Sequence, residues 1–283
     1  MPRTSQRARS LQQSPIRKLA PLARAAEERG TRVTYLNIGQ PDWPTPDPML
    51  ERFKHLPSRR IAYAPSEGLM ETREAWSAFF SSWDVDFAPN DILVTSGASE
   101  AITFALAIVA GDGGEVLVFE PCYTNYLGFA AQAGVRMVPV PLRVEDGYHF
   151  HDEARLRACL TPHTRGIILC NPSNPTGTVY TTAELEAVAR VAEEADLFVI
   201  ADEVYREFVY DGRPVQSFTR FTDLADRIIV VDSVSKRFNA CGVRIGCMAS
   251  RNAEVIDLGL RFCQARLSVA TAEQLAVGPM FTD

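Results

Sequence analysis

Short runs of consecutive apolar residues recur along this chain, and most are followed by a polar turn. Residues 92–94 (Ile-Leu-Val) end at Thr95-Ser96-Gly97-Ala98-Ser99-Glu100. Behind that turn Ile102, Ala105, Leu106 and Val109 fall at i, i+3, i+4 and i+7, the spacing of one buried helix face. Residues 116–119 end at Glu120-Pro121-Cys122-Tyr123, and residues 167–170 at Asn171-Pro172-Ser173-Asn174-Pro175-Thr176-Gly177. Thr181 and Glu184 have the spacing of a capping box, which opens a helix carrying Leu185, Val188, Ala189 and Ala192. Residues 197–201 end at Asp202-Glu203-Val204-Tyr205, and residues 228–231 at Asp232-Ser233-Val234-Ser235-Lys236. Upstream, Leu19, Leu22, Ala23 and Ala26 predict a helix over 16–29, with Gly30 as its stop. Residues 33–42 read as a short strand running into a turn. Pro41, Pro44, Pro46 and Pro48 make 40–48 an irregular connector between an N-terminal segment and the main domain.

Strand, turn and helix in repetition predict a largely parallel sheet with crossover helices, an α/β architecture. Ligands of such sheets sit off the carboxyl ends of the strands. Ser96, Ser99, Tyr123, Asn174, Asp202, Tyr205, Ser233, Ser235 and Lys236 all fall just past such ends, which argues for one shared pocket.

Each of these residues has a chemical reading and a plainer one. A lysine placed directly after a buried strand loses proton affinity and becomes able to attack a carbonyl. Ser233, Ser235 and Arg244 beside it suit a phosphate monoester. Together they point to pyridoxal phosphate; a surface turn with a solvated lysine is the alternative. Gly97-Ala98-Ser99 offers unpaired N–H groups at a helix start, or is an ordinary capped turn. Asp202, after a fully apolar strand, calls for a cation such as a protonated pyridine nitrogen, or serves as a helix cap. Asn174 and Tyr205 are donors to a phenolate oxygen, or a turn asparagine and a core tyrosine. Tyr123 stacks on a flat ring, or packs as a core aromatic.

With 283 residues, 46% hydrophobic and 23% charged, the chain is expected to fold. Its net charge of −6 argues against a nucleic-acid partner. Six scattered cysteines without a Cys-x-x-Cys pair read as reduced core residues of a cytoplasmic protein, with no disulfide frame and no metal site. No apolar run reaches the roughly 18 residues that would cross a membrane. The first two dozen residues are rich in arginine and lack acids, which fits a transit peptide or, more simply, an extended basic arm.

Taken together the motifs resemble the class I/II aminotransferases of the fold-type I pyridoxal-phosphate enzymes, the aspartate aminotransferase superfamily. The resemblance runs from about residue 14 to the end. It rests on Asn37-Ile38-Gly39-Gln40-Pro41-Asp42, Tyr63 followed by Gly68, the 96–101 and 171–177 turns, Asp202-Glu203-Val204-Tyr205, and Ser233-Val234-Ser235-Lys236 with Arg244. It implies a three-layer α/β sandwich on a mostly parallel sheet, the cofactor-binding large domain, over residues 45–283. Residues 1–44 become an N-terminal arm and small-domain segment, and the C-terminal part of the small domain is missing.

The resemblance also implies roles. Lys236 forms the Schiff base and then moves the proton from Cα to C4′, and Asp202 pairs with the pyridine nitrogen. Asn174 and Tyr205 hydrogen-bond the ring 3′-oxygen, while Tyr123 stacks on the ring. Ala98, Ser99, Ser233 and Arg244 hold the phosphate, with Gly97 and Ser235 beside them, and Tyr63 reaches the phosphate of a neighbouring subunit. Gly39 and Asn174 meet the substrate. The chain is thus expected to be a homodimeric aminotransferase of amino acid metabolism, with its basic arm packed on the partner. An L-amino acid donates and a 2-oxo acid accepts. A carbon–sulfur lyase or decarboxylase, or a chain that binds the cofactor without turnover, is the alternative. The last arises because nothing between Arg251 and Asp283 matches the family's carboxylate-clamping arginine; Arg251, Arg261 and Arg266 belong by pattern to helices.

Overall fold

Among the described residues, six strands run one way and one runs against them. The computed structural model describes residues 2–37, 39–56 and 60–281. Its strands are β1 (Ile92–Thr95), β2 (Glu115–Glu120), β3 (Arg136–Pro141), β4 (Thr164–Cys170), β5 (Phe198–Asp202), β6 (Ile228–Ser233) and β7 (Gly246–Ala249), in the sheet order β1-β7-β6-β5-β4-β2-β3. β7 is antiparallel to both neighbours, with Gly246 opposite Thr95 on one side and Ser233 on the other. β1 therefore runs in the same direction as β6, and the remaining pairs are parallel. The carboxyl ends of β1, β2, β4, β5 and β6 meet at one edge of the sheet, where β7 begins.

The helices are α1 (Gln6–Ser10), α2 (Ala20–Glu28), α3 (Asp47–Lys54), α4 (Met70–Ser81), α5 (Ala98–Val109), α6 (Asn125–Ala133), α7 (Glu153–Ala158), α8 (Thr182–Glu194), α9 (Val234–Arg237), α10 (Ala253–Arg266) and α11 (Thr271–Val277). Because successive side chains of a strand face opposite ways, an unbroken apolar run feeds two cores. Ile167, Leu169, Val199 and Val230 pack with Trp76 and Phe80 of α4, Leu185 and Val188 of α8, and Ala276 of α11. Their sequence neighbours Ile168, Ile200, Ile229 and Val231 pack with Ala105 and Leu106 of α5, Ala130 of α6, and Val255 and Cys263 of α10. Helix, sheet and helix form three layers, as the resemblance implied. The capping box is present: Thr181 accepts from the Glu184 amide, and the Glu184 carboxylate accepts from that of Thr181.

Several expectations need correction. Residues 33–42 form no strand among the described positions; Leu36 is 91% exposed, and this stretch runs outside the sheet with no neighbour to complete a ladder. Pro48 belongs to the first turn of α3 and not to the connector, a place where a missing N–H costs nothing. Arg251 precedes the Asn252 cap of α10, so only Arg261 and Arg266 are helical. β3 gave no strand signal because Pro139 and Pro141 interrupt it, and it is tolerated as the outermost strand of the sheet. α2 forms as expected, yet none of its residues is buried.

Gly68 sits at φ +106°, where a Cβ would lie 2.3 Å from Cγ2 of Val94 in β1. Gly68→Ala is expected to destabilise the fold by about 2–4 kcal/mol through overpacking and backbone strain. Urea unfolding checks this, and an unchanged midpoint would contradict it.

Candidate active site

The sheet edge where the strands end collects the polar residues. β5 delivers Asp202 there, 4% exposed. One carboxylate oxygen accepts a hydrogen bond from the Tyr126 hydroxyl at 2.5 Å, and the other has only the Val204 amide at 3.4 Å. No arginine or lysine forms an ion pair with it among the described residues. Burial pushes the Asp202 carboxyl up to about 6, with Tyr126 and the Val204 amide opposing and nearby Asp232 adding. A buried acid with spare acceptor capacity and no cation is suited to a cationic ring nitrogen. The residues after Asp202 form a turn over 204–207 and no helix, so Asp202 is not a helix cap.

One strand over, Ser233 caps α9, its Oγ accepting from the Ser235 amide at 3.1 Å. That cap starts the helical turn at once and sets Lys236 beside the strand end. The Lys236 ammonium donates to the Gly39 carbonyl at 2.6 Å and lies 5.8 Å from the centroid of the Tyr205 ring. The Tyr205 hydroxyl in turn accepts from Asn174 Nδ2 at 3.4 Å. Burial raises the Tyr205 phenol well above its usual range, so it stays a donor. Tyr123 meets Tyr126 edge to face at 5.4 Å and accepts from Asn125 at 2.8 Å.

On the other side of Lys236 stands a cationic cradle. Arg244 donates to Ser235 Oγ at 3.3 Å, to the Cys241 carbonyl at 3.0 Å and to the Ser96 carbonyl at 3.3 Å. Ser233 Oγ lies 2.8 Å from Ser235 Oγ. Gly97, at φ +74°, is the residue before α5, and Ala98 and Ser99 form the first turn, whose N–H groups lack helical partners. A Cβ on Gly97 would lie 2.3 Å from Arg244 Nη2. Guanidinium, hydroxyls and a helix start therefore converge as a phosphate requires. Gly97→Ala is expected to displace Arg244 and weaken phosphate-bearing cofactor about tenfold to a hundredfold, the loss of one charge-assisted contact. A fluorescence titration with cofactor measures it; wild-type affinity would contradict it.

The structure thus brings together Asp202, Tyr205, Asn174, Tyr123, Lys236, Ser233, Ser235, Arg244, Gly97, Ala98, Ser99 and Gly39. Tyr63 stands apart, 80% exposed and hydrogen-bonded to none of them. The sequence reading missed Tyr126. It is 1% exposed and lies four residues before Ala130 on the buried side of α6, so it reads as a core aromatic. Its hydroxyl becomes meaningful only once Asp202 is placed against it.

The family model described as Aminotransferase class I and II matches residues 31–283. The chain is 39% identical over 244 residues to a Mycobacterium tuberculosis protein named "Probable N-succinyldiaminopimelate aminotransferase DapC", covering 84% of this chain and 61% of that one. It is 34% identical to aromatic-amino-acid aminotransferase 2 of Thermococcus litoralis, over 87% of this chain and 63% of that one. It therefore spans about three fifths of the length of these curated relatives. Among solved structures, a double mutant of Thermus thermophilus aspartate aminotransferase superposes with a TM-score of 0.92 at 30% identity, covering 100% of this chain and 73% of that one.

Proposed function

Because the chain belongs to the class I and II aminotransferase family, we propose that it moves an amino group from an L-amino acid to a 2-oxo acid with pyridoxal 5′-phosphate. The observation that carries this reading is the pairing, at the ends of neighbouring strands, of a buried carboxylate, Asp202, with an amine, Lys236, neither of which has an ion-pair partner among the described residues.

The cofactor, when bound, supplies an aldehyde that takes up the amino group and a ring that draws electrons from the substrate Cα. Asp202 would pair with the ring nitrogen, its burial strengthening the attraction. Asn174 Nδ2 and the Tyr205 hydroxyl, 3.4 Å apart, would donate to the 3′-oxygen. Arg244, Ser233, Ser235, Ala98 and Ser99 would hold the phosphate, with Gly97 beside them, and Tyr123 would stack on the ring. The Lys236 amine would be the covalent anchor. As a free amine it would be the base that moves the proton of the substrate Cα. Gly39, whose carbonyl accepts from Lys236, would meet the substrate through its backbone, together with Asn174.

The domain reading belongs to the same proposal: residues 45–283 as the cofactor-binding large domain, 1–44 as arm and small-domain segment. So does a homodimer in which Tyr63 serves the neighbouring site. The apolar surface of Ile61, Tyr63, Met70 and Leu267, each 47–80% exposed, supports it. No helix of the described residues is long and apolar enough to cross a membrane. All six cysteines are free, which accords with a cytoplasmic setting.

The test is visible absorbance of protein purified with pyridoxal phosphate. A yellow band that bleaches on adding an amino acid, without release of ammonia, is expected. A colourless protein removes the cofactor reading, and stoichiometric ammonia replaces transfer with elimination.

A further inference from the structure

The residue after Lys236 is an arginine with almost no access to water. Arg237 has a side chain 7% exposed; its Nε and Nη2 are engaged, while Nη1 has no hydrogen-bond partner among the described residues. Nη2 donates to Asp232 Oδ2 at 2.8 Å and Nε to Glu207 Oε1 at 2.7 Å. The guanidinium carbon lies 3.6 Å from the centroid of the Phe79 ring. Asp232 is fully buried in β6, and its other oxygen accepts from the Ser233 amide at 2.6 Å. Glu207 closes the turn over 204–207 that carries Tyr205.

These contacts join the two loops on which the proposed chemistry depends. α9 has four residues, a single turn that cannot hold its own direction in water. Whatever anchors α9 aims Lys236. The Tyr205 turn follows the adjacent strand, and its Glu207 reaches across to the same guanidinium. Burial works against the charge of Arg237, but Asp232 and Glu207 outweigh it and leave its proton more tightly held than usual. Apolar side chains would fill the space at less electrostatic cost, so what the charged trio adds is a fixed geometry: a planar fork admits one arrangement between two carboxylates.

We propose that Arg237 is a positioning residue for Lys236: gripped by Asp232 and Glu207, it locks the Lys236 turn against the Tyr205 turn and sets how the lysine-bound cofactor lies over its ring contacts. This rests on the reading of Lys236 as the cofactor-bearing amine. It deepens that reading by naming residues that touch neither substrate nor cofactor.

The experiment compares wild-type holoenzyme with Glu207→Ala, Arg237→Lys and Glu207→Gln by visible circular dichroism relative to absorbance, and by steady-state kinetics. Glu207→Ala and Arg237→Lys are expected to alter the dichroism-to-absorbance ratio. They should lower kcat about tenfold to a hundredfold, the size of effect that follows small misplacement of a reacting group, with KM near wild type. Glu207→Gln keeps an acceptor oxygen for Arg237 Nε and should restore both readouts. If Arg237→Lys fails to fold, Glu207→Ala carries the test, since the Glu207 side chain is 26% exposed. Wild-type dichroism and kcat in Glu207→Ala would overturn the proposal while leaving the Lys236 assignment intact. A wild-type protein without a visible band would remove that assignment, and the proposal with it.

Discussion

Lys236→Ala should leave a folded protein that transfers amino groups at least about 10⁴-fold more slowly. The figure is the upper range for a positioned proton-transfer group, and loss of the covalent anchor adds to it. Little stability should go with it. The side chain is half-buried, and its hydrogen bond is to the Gly39 carbonyl near the surface. Single-turnover assays with excess cofactor measure the rate, and thermal unfolding checks the fold. Borohydride should fix cofactor to the wild-type peptide containing Lys236 and to no peptide of the variant. Normal exchange in Lys236→Ala would end the functional reading.

Asp202→Asn is expected to separate stability from activity. The folded carboxyl titrates at about 6 against an ordinary 3.8, so the folded state binds this proton more tightly than the unfolded one. The contribution of Asp202 to stability is therefore complete below pH about 3.8 and is lost as pH rises through about 6. Two pH units correspond to roughly 3 kcal/mol. Cofactor-free Asp202→Asn should consequently melt higher than wild type above pH 6, and the gap should close towards pH 4. Adding cofactor should narrow it, because a ring cation offsets the cost of the buried charge. Turnover should fall about 10²- to 10³-fold, as when one preorganised electrostatic group is removed from an active site. A melting difference that stays constant between pH 4 and pH 8 would show that Asp202 is not the strained acid described above.

The layout of the site was legible in the sequence because strand ends are. An apolar run followed by Asp202, or by Ser233 to Lys236, states where the chain leaves the sheet, and the parallel arrangement then puts every exit on one edge. What the sequence left open depends on distant partners. Tyr126 looks like any buried aromatic until β5 places a carboxylate 2.5 Å from its hydroxyl. Arg237 reads as a solvated neighbour of Lys236, because Asp232 comes from a strand, Glu207 from a turn after another strand and Phe79 from another layer. β3 was hidden by two prolines, which local preference penalises and an outermost strand accepts. The strand expected over 33–42 failed for the converse reason: its composition suits a strand, but no neighbour lies beside it.

The reversed strand β7 has a practical corollary. Had it run with its neighbours, a crossover of a dozen or more residues would have been needed after α9, and Arg244 would have emerged at the far side of the sheet, roughly 13 Å from the lysine. Reversal lets seven residues, 237–243, carry the chain from Lys236 to Arg244. That short tether behaves like a ruler: adding or deleting a residue within it would change the reach between those two side chains, whereas the longer excursions between other strands have slack to absorb such edits.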